Sequence, residues 1–219
     1  MRQDNLRFRG LHLAIGILIA VGVLGCASTP PTVRVTEPDQ RLQFNGFSVL
    51  PPKGERWHRV GREGQDTTRF SYTMFVKKSS WALPSRNTYL AKVAVLDTGE
   101  RRFTTTQELL NHVQTMGLFQ ESPRQQNMQA EFAIDDTLAP LCVRFDLNAE
   151  DSRVGGYPGP VYLLDAHGFF CVHPEAPDVV VMIDHSRRTK QGDTPVAARA
   201  EGERFLGSLR FTPIQGRGG

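Results

Sequence analysis

The sequence predicts an α+β fold, in which helices pack on an antiparallel sheet. Strand-like segments dominate the chain from residue 42 onward, and two helix-like segments lie far apart from each other. The 219 residues include 39% hydrophobic residues and 13 Phe, which is enough for a real core. We therefore predict a single α+β domain over residues 42–215.

Seven segments have the composition or the alternation of β-strands. They are residues 44–49, 69–77, 89–96, 141–147, 161–172, 179–184 and 209–211. The first of them ends before Pro51 and Pro52, because proline cannot continue a central strand. Residues 153–160 are rich in glycine and proline, which predicts a loop between two strands.

Two segments predict helices. Thr105 and Glu108 have the spacing of a capping box, an apolar stripe at helical spacing follows them, and Gly117 is a C-terminal stop. Residues 196–206 predict a second helix that closes the domain, although Gly202 lies in its interior.

The N-terminal segment has the layout of a secretory signal peptide. Three arginines precede residues 11–24, an apolar run of fourteen residues with one polar side chain, His12. The run is too short to span a bilayer comfortably, which takes about 20 residues. It ends in Val23-Leu24-Gly25-Cys26, which resembles the lipobox of bacterial lipoproteins.

That resemblance implies a signal peptide over residues 1–25 and a diacylglyceryl group on the sulfur of Cys26. Further acylation with a fatty acid such as palmitate would follow, and several acyl chains anchor a protein firmly in a membrane. Ala27 follows the cysteine where an aspartate would favour the inner membrane, so the resemblance implies an outer-membrane anchor. An ordinary cleaved signal and an uncleaved N-terminal helix are the alternatives.

The segments that flank the domain have little to bury. Residues 26–41 contain three prolines, which predicts a lipidated cysteine followed by a flexible tether. Residues 216–219 predict a disordered tail.

The two ends of the domain resemble those of PsbP/Mog1-like domains. Residues 44–57 read FNGFSVLPPKGERW and residues 203–211 read ERFLGSLRF. The family starts with a Gly-Phe-Ser strand, a proline and a tryptophan, and it closes with a helix that leads into a short strand. The resemblance implies a three-layer α/β/α sandwich that serves as a binding or assembly module, with no catalytic residue to carry over.

Two cysteines remain in the domain once Cys26 is acylated, namely Cys142 and Cys171. Both lie in apolar strand-like segments, and the compartment outside the cytoplasm is oxidising. We therefore predict a disulfide between Cys142 and Cys171, which requires their strands to be neighbours. The alternative is a pair of free buried thiols.

Strand geometry argues against two other arrangements of reactive side chains. Along a strand, His167 and Cys171 would lie about 13 Å apart, too far to share a zinc ion. In the triplet Asp184-His185-Ser186, consecutive side chains point to opposite faces, which argues against a catalytic triad. We predict no catalytic residue, no metal site and no cofactor.

Four aromatic residues lie in or beside polar, turn-rich segments, namely Trp57, Trp81, Tyr157 and Tyr162. Exposed aromatic side chains are favoured at interfaces, and packing at the edge of the core is the alternative. Tyr157 lies between glycine and proline in the predicted loop, so we predict that it contacts a partner or ligand.

The charge balance bears on the class of partner. The formal net charge is +3, but residues 1–25 contribute +2 of it. The remaining domain is nearly neutral and has no clustered basic surface for nucleic acid.

We predict an outer-membrane-anchored lipoprotein that faces the periplasm and binds an envelope protein or a small ligand. The alternatives are an envelope hydrolase with dispersed catalytic residues and a structural subunit. A deep pocket that holds a carboxylate or histidine of shifted pKa would favour the enzyme, whereas a flat apolar patch would favour a protein partner.

Overall fold

Long antiparallel strands in the second half of the chain build most of the fold. In this computed structural model, the described residues are 32–61, 72–78, 88–99, 101–122, 124–152, 161–190 and 196–215. Their strands are β1 (Thr32–Arg34), β2 (Leu42–Phe44), β3 (Phe47–Val49), β4 (Trp57–Val60), β5 (Tyr72–Lys77), β6 (Thr88–Asp97), β7 (Gln125–Ile134), β8 (Cys142–Asp151), β9 (Tyr162–His173), β10 (Ala176–Lys190) and β11 (Arg210–Phe211). Their helices are α1 (Thr106–Thr115) and α2 (Val196–Leu206), and a 3₁₀ turn covers Gly117–Phe119.

The strands form two sheets in which every described pairing is antiparallel. The large sheet has the order β1-β4-β5-β6-β10-β9-β8-β7, and the small one has the order β11-β3-β2. A meander β7-β8-β9-β10 makes one half of the large sheet, and β10 joins it to β6 of the other half. The prediction of an α+β fold is confirmed, whereas the three-layer sandwich stays a prediction.

The central strand β10 shows that the large sheet is covered on both faces. Val181 and Ile183 belong to a core cluster that includes Phe205 of α2 and the small sheet. Val180 and Met182 belong to a second cluster, which includes Leu109 of α1. Because successive side chains of a strand point to opposite faces, one side of the sheet is the α1 face and the other is the α2 face.

The predicted strand at residues 44–49 is a hairpin instead. Asn45 and Gly46 turn the chain between β2 and β3, and Gly46 has φ +90°, a value that a residue with a side chain adopts only with strain. The turn brings Phe44 and Phe47 together, with ring centroids 4.9 Å apart. The hydrophobic pattern alone could not separate one strand of six residues from two of three.

Three short or polar strands were missing from the prediction. Residues 125–134 look polar in sequence because β7 is an edge strand whose side chains alternate between partial exposure and full exposure. At the opposite edge, β1 pairs with β4, and neither of these two strands was predicted. Thr32–Arg34, which lies inside the predicted tether, is therefore a strand of the large sheet.

Both helices occur where the sequence predicts them. The capping box is present, since Thr105 Oγ1 accepts the N–H of Glu108 at 3.2 Å and the Glu108 carboxylate accepts the N–H of Thr105 at 3.2 Å. Helix α1 ends at Thr115, and Gly117 begins the 3₁₀ turn instead of capping the helix. Helix α2 has the predicted bounds.

The described residues belong to one compact unit. Within the described ranges, neither helix has the length and apolar character needed to cross a membrane. The predicted signal peptide at 1–25, the loop at 153–160 and the tail at 216–219 lie outside the described residues.

Candidate ligand-binding cavity

The α1 face of the large sheet contains a cavity of about 320 Å³. Its floor consists of small residues, because Ser186 of β10 and Ala166 of β9 stand directly opposite each other. Gly168 continues this small surface along β9. A Cβ on Gly168 would lie 2.7 Å from Asp184 Cβ and 2.7 Å from a ring carbon of Phe145, so glycine lets these two side chains approach across the strand. The depression therefore exists because two facing positions, Ala166 and Ser186, carry small side chains.

One side of the cavity is apolar. Its lining includes Leu118, Phe119, Met128, Phe145, Leu147 and Leu164. Phe119, in the 3₁₀ turn, packs its ring 5.2 Å from that of Phe132 and 5.2 Å from that of Phe145. Because α1 ends at Thr115, the 3₁₀ turn that follows it places the aromatic side chain of Phe119 over the sheet.

A bulge in β7 shapes the same wall. The register between β7 and β8 shifts between Gln126 and Gln129, so that one extra residue of β7 has no partner on β8. Asn127 takes up the shift in the left-handed region, with φ +51°, and its side-chain amide donates to Glu150 at 3.0 Å. Asparagine tolerates this conformation better than most residues. Met128, the next residue, lines the cavity.

The far end of the cavity is closed by charges. Asp151 is 1% exposed, and its carboxylate accepts hydrogen bonds from Arg124 at 2.8 and 3.0 Å and from Arg188 at 3.3 Å. Burial alone would raise the pKa of Asp151, but its bonds to Arg124 and then to Arg188 outweigh that effect and lower it. Asp151 is therefore an anion that two guanidinium groups share.

A second carboxyl lies on the cavity wall with less support. Asp184 is 4% exposed, and its Oδ1 accepts no hydrogen bond. Lys92 stands opposite on β6, with Nζ 3.4 Å from that oxygen, and its side chain is 42% exposed. Burial raises the pKa of Asp184 to about 6, against the opposing effect of Lys92. This carboxyl changes its charge close to neutral pH, unlike an ordinary aspartate.

The neighbouring residue His185 faces α2 instead. Its imidazole lies beneath Gly202 of α2 and 5.3 Å from the ring of His167. Burial, and then the positive charge of His167, lower the pKa of His185 to about 4. As the alternation predicts, Asp184 and His185 serve opposite faces, so the triplet at 184–186 forms no triad.

His167, the other member of that pair, lies between two carboxylates. Its two ring nitrogens contact Asp165, at 2.9 Å, and Asp146, and Asp165 also pairs with Arg187. The hydrogen bond to Asp165 chiefly raises the pKa of His167, burial opposes it, and Asp146 adds to the increase. The cluster lies between α2 and the sheet, beside a cavity of about 10 Å³.

The disulfide between Cys142 and Cys171 is confirmed. The two residues are direct partners in the β8–β9 pairing, with their Cα atoms 4.1 Å apart, and both are fully buried. Cys171 is therefore not a zinc ligand. Among the described residues, no group of three or more His, Cys, Asp and Glu side chains could hold a metal ion.

Other residues that the sequence singled out have structural places or lie outside the described ranges. Trp57 is 2% exposed, Tyr162 is 3% exposed, and both belong to the core rather than to an exposed surface. Cys26, Trp81 and Tyr157 lie outside the described residues.

The cavity itself was not predicted, although the sequence contained a signal for its charged wall. Lys92 interrupts the apolar segment 89–96, and Asp184 follows directly on the apolar run 179–183. A charge inside a strand that is otherwise apolar requires a partner or a cleft. Which strands are neighbours, and hence that Lys92 meets Asp184, was not readable from either segment.

Fold and site together define an antiparallel α+β domain with an amphipathic cavity on one face. No protein-family model and no curated protein matches the chain. Among solved structures, the chain is similar to LpqN of Mycobacterium tuberculosis, which is described as involved in cell envelope biogenesis. The identity is 13%, the match covers 84% of this chain and 90% of that chain, and the TM-score is 0.43. A likeness this distant carries no functional conclusion.

Proposed function

We propose that this protein is a lipid-anchored protein of the bacterial cell envelope whose domain binds a small ligand in the cavity on the α1 face. The cavity is the observation that carries the binding role. A concave site with an apolar lining and a few charged groups is typical of small-molecule sites, and its volume lies at the lower end of their range, about 300 to 1,000 Å³.

The membrane attachment rests on the lipobox-like sequence before Cys26. Acylation of Cys26, with Ala27 after it, places the anchor in the outer membrane and the domain in the periplasm, where the Cys142–Cys171 disulfide persists. Cys26→Ser should abolish the incorporation of labelled palmitate. Undiminished labelling of that variant would contradict the anchor.

The binding role is tested by filling the cavity. All described contacts lie within residues 31–219, so a chain that starts at residue 27 keeps them. Octanol serves as the probe, and we expect saturable binding by calorimetry at millimolar concentration or below. Ala166→Phe places a ring over the cavity floor and should abolish it.

Two further variants make this test decisive. Gln129→Phe adds the same ring at an exposed position of β7 and should bind octanol like the parent protein. Ser186→Leu fills the cavity from the neighbouring strand, in case Ala166→Phe unfolds. Equal octanol binding by both cavity-filling variants and the parent would contradict the proposal.

One observation favours the hydrolase as a second candidate, namely the raised pKa of Asp184 in a cavity. Ser186 and Thr88 supply hydroxyl groups to the cavity lining, but His185, which could activate a serine, lies on the other face. Hydrolysis of p-nitrophenyl octanoate that disappears in both Asp184→Asn and Ala166→Phe would favour the enzyme.

A further inference from the structure

The two sides of the cavity differ in chemistry because of the sheet register. Polar side chains of β6 and β10 line one part of the cavity, where Lys92 faces Asp184 and Thr88 faces Arg188, and Asp151 of β8 lies beside Arg188. Apolar side chains of β8 and of the 3₁₀ turn, with Phe145 and Phe119 among them, line another part, and Leu90 of β6 and Met182 of β10 add to the apolar lining. A ligand that satisfies both sides must be amphipathic.

The charged groups that line the cavity determine whether it favours an anionic or a cationic ligand. Three are cations, Lys92, Arg124 and Arg188, and two are carboxyl groups, Asp151 and Asp184. Asp151 is already shared by the two arginines, so it has little capacity for a cationic ligand. A cation would also have to approach Lys92, which repels it.

We propose, on the basis of the ligand-binding function above, that the cavity binds an amphipathic anion, with its apolar chain over Phe145 and Leu147 and its negatively charged head beside Lys92. The ammonium group of Lys92 has three donors, and its side chain is 42% exposed, so it reaches both Asp184 and the open side of the cavity.

Asp184 supports this assignment by its burial. Because burial raises the pKa of Asp184 to about 6, its carboxyl is mostly neutral below that pH and leaves Lys92 without an opposing charge, which an anionic head supplies. Binding of the anion should raise the pKa of Asp184 further and take up a proton near neutral pH. The other charged groups on this face are Arg188 and the Asp151–Arg124 pair.

The volume limits the part of the ligand that is enclosed. If each non-hydrogen group takes roughly 30 Å³, like a water molecule in the liquid, the cavity encloses about ten of them. An eight-carbon chain with a compact head is therefore a suitable probe.

The experiment compares three ligands with the same octyl chain: octane-1-sulfonate, octanol and octyltrimethylammonium. Each is titrated below its micelle concentration into the chain that starts at residue 27. We expect the sulfonate to bind at least tenfold more tightly than octanol, and the cation to bind more weakly than octanol. The sulfonate keeps its charge throughout, so a gain in its affinity from pH 8 to pH 5 reports on the protein.

Variants of the polar wall identify the groups responsible. Lys92→Gln should lower the affinity for the sulfonate at least tenfold, whereas Arg144→Gln, which removes a half-exposed cation from the α2 face, should not change it. Asp184→Asn should raise the affinity for the sulfonate at pH 8 and remove its pH dependence. This last result does not depend on the stability of the Lys92 variant.

The outcomes separate this inference from the proposed function. If octanol binds but the sulfonate binds no better, or the cation binds best, the anionic class is wrong and the ligand-binding function stands. If none of the three ligands binds, or Ala166→Phe binds them equally well, both are wrong.

Competition with vesicles shows where the anion comes from. Displacement of the sulfonate by phosphatidylglycerol vesicles identifies a membrane lipid as the source, and sulfonate binding that such vesicles do not disturb identifies a free single-chain amphiphile. Both results support an anionic head. Equal displacement by uncharged phosphatidylcholine vesicles contradicts it.

Discussion

Gly202 of α2 lies directly against the imidazole ring of His185. A methyl group on Gly202 would stand 2.4 Å from Cγ and 2.6 Å from Nδ1 of that ring, much closer than carbon and nitrogen atoms approach. The ring is 5% exposed and cannot swing into solvent. Glycine therefore occupies the interior of a helix, where it is intrinsically unfavourable, because the helix approaches the sheet at this point.

Gly202→Ala should destabilise the protein by about 1 to 3 kcal/mol through overpacking. In an ordinary helix interior the same change stabilises by roughly 0.5 to 1 kcal/mol, so the sign of the effect is diagnostic. Gly207→Ala, directly after the last residue of α2, is a control for the added methyl group alone, because the nearest atom to that methyl lies 3.7 Å away. Urea unfolding measures both variants, and a Gly202→Ala protein as stable as the parent would contradict the close packing.

Asp184→Asn should change how stability depends on pH. The pKa of Asp184 is about 6 in the folded protein, above its ordinary value of 3.8, so the unfolded chain loses this proton first. The contribution of Asp184 to the free energy of unfolding is thus fully present below pH 4 and is lost as the pH rises through 6. The variant should gain on the order of 3 kcal/mol relative to the parent between pH 4 and pH 7.

His185→Leu should show the opposite trend. The pKa of His185 is lowered from 6.5 to about 4, so its contribution is present above pH 6.5 and is lost as the pH falls through 4. The groups that face it are His167, Asp165, Glu203 and Arg199. Denaturant titrations at a series of pH values measure the free energy of unfolding of each variant relative to the parent. This difference should rise with pH for Asp184→Asn and fall with pH for His185→Leu. Parallel profiles would contradict both assignments.

Replacement of Cys142 and Cys171 by alanine should cost about 3 to 4 kcal/mol of unfolding free energy. The bond closes a loop with a sequence separation of 29, and its loss increases the entropy of the unfolded chain. Reduced parent protein should unfold at nearly the same urea concentration as the variant. Alkylation of both thiols in unfolded, unreduced protein from the periplasm would show that the bond does not form there.

Glu201→Ala should destabilise the contact between α2 and the large sheet. The Glu201 carboxylate accepts a hydrogen bond from Trp57 Nε1 at 2.8 Å. It also forms an ion pair with Lys77, whose side chain is 14% exposed. Removal of this acceptor leaves a largely buried ammonium group without its partner, at a cost of about 3 kcal/mol.

Glu203→Ala tests whether this effect belongs to Glu201. Glu203 lies on the same helix, is half-exposed and pairs with Arg199 at 3.5 Å within the helix. Its removal should change stability by no more than about 0.5 kcal/mol. Equal losses in the two variants would show that helix propensity, rather than the contact with Trp57 and Lys77, accounts for the change.

The sequence by itself determined the features that depend on local chemistry. Thr105 and Glu108 placed the start of α1, because a capping box needs only residues three positions apart. The alternation of side chains placed Asp184 and His185 on opposite faces, because successive side chains of a strand always point to opposite faces of the sheet. The disulfide followed from two cysteines in apolar strand-like segments and from the predicted location of the domain in an oxidising compartment.

Tertiary structure decided what depends on residues that are distant in sequence. The polarity of residues 125–134 hides β7, since an edge strand buries little, and only its pairing with β8 makes it a strand. Ala166 and Ser186 form a cavity floor only because β9 and β10 are paired in this register. Lys92 and Asp184 are 92 positions apart in the chain, and the pairing of β6 with β10 makes them neighbours. The register of non-local strands is set by the packing of the whole core, which no short segment encodes.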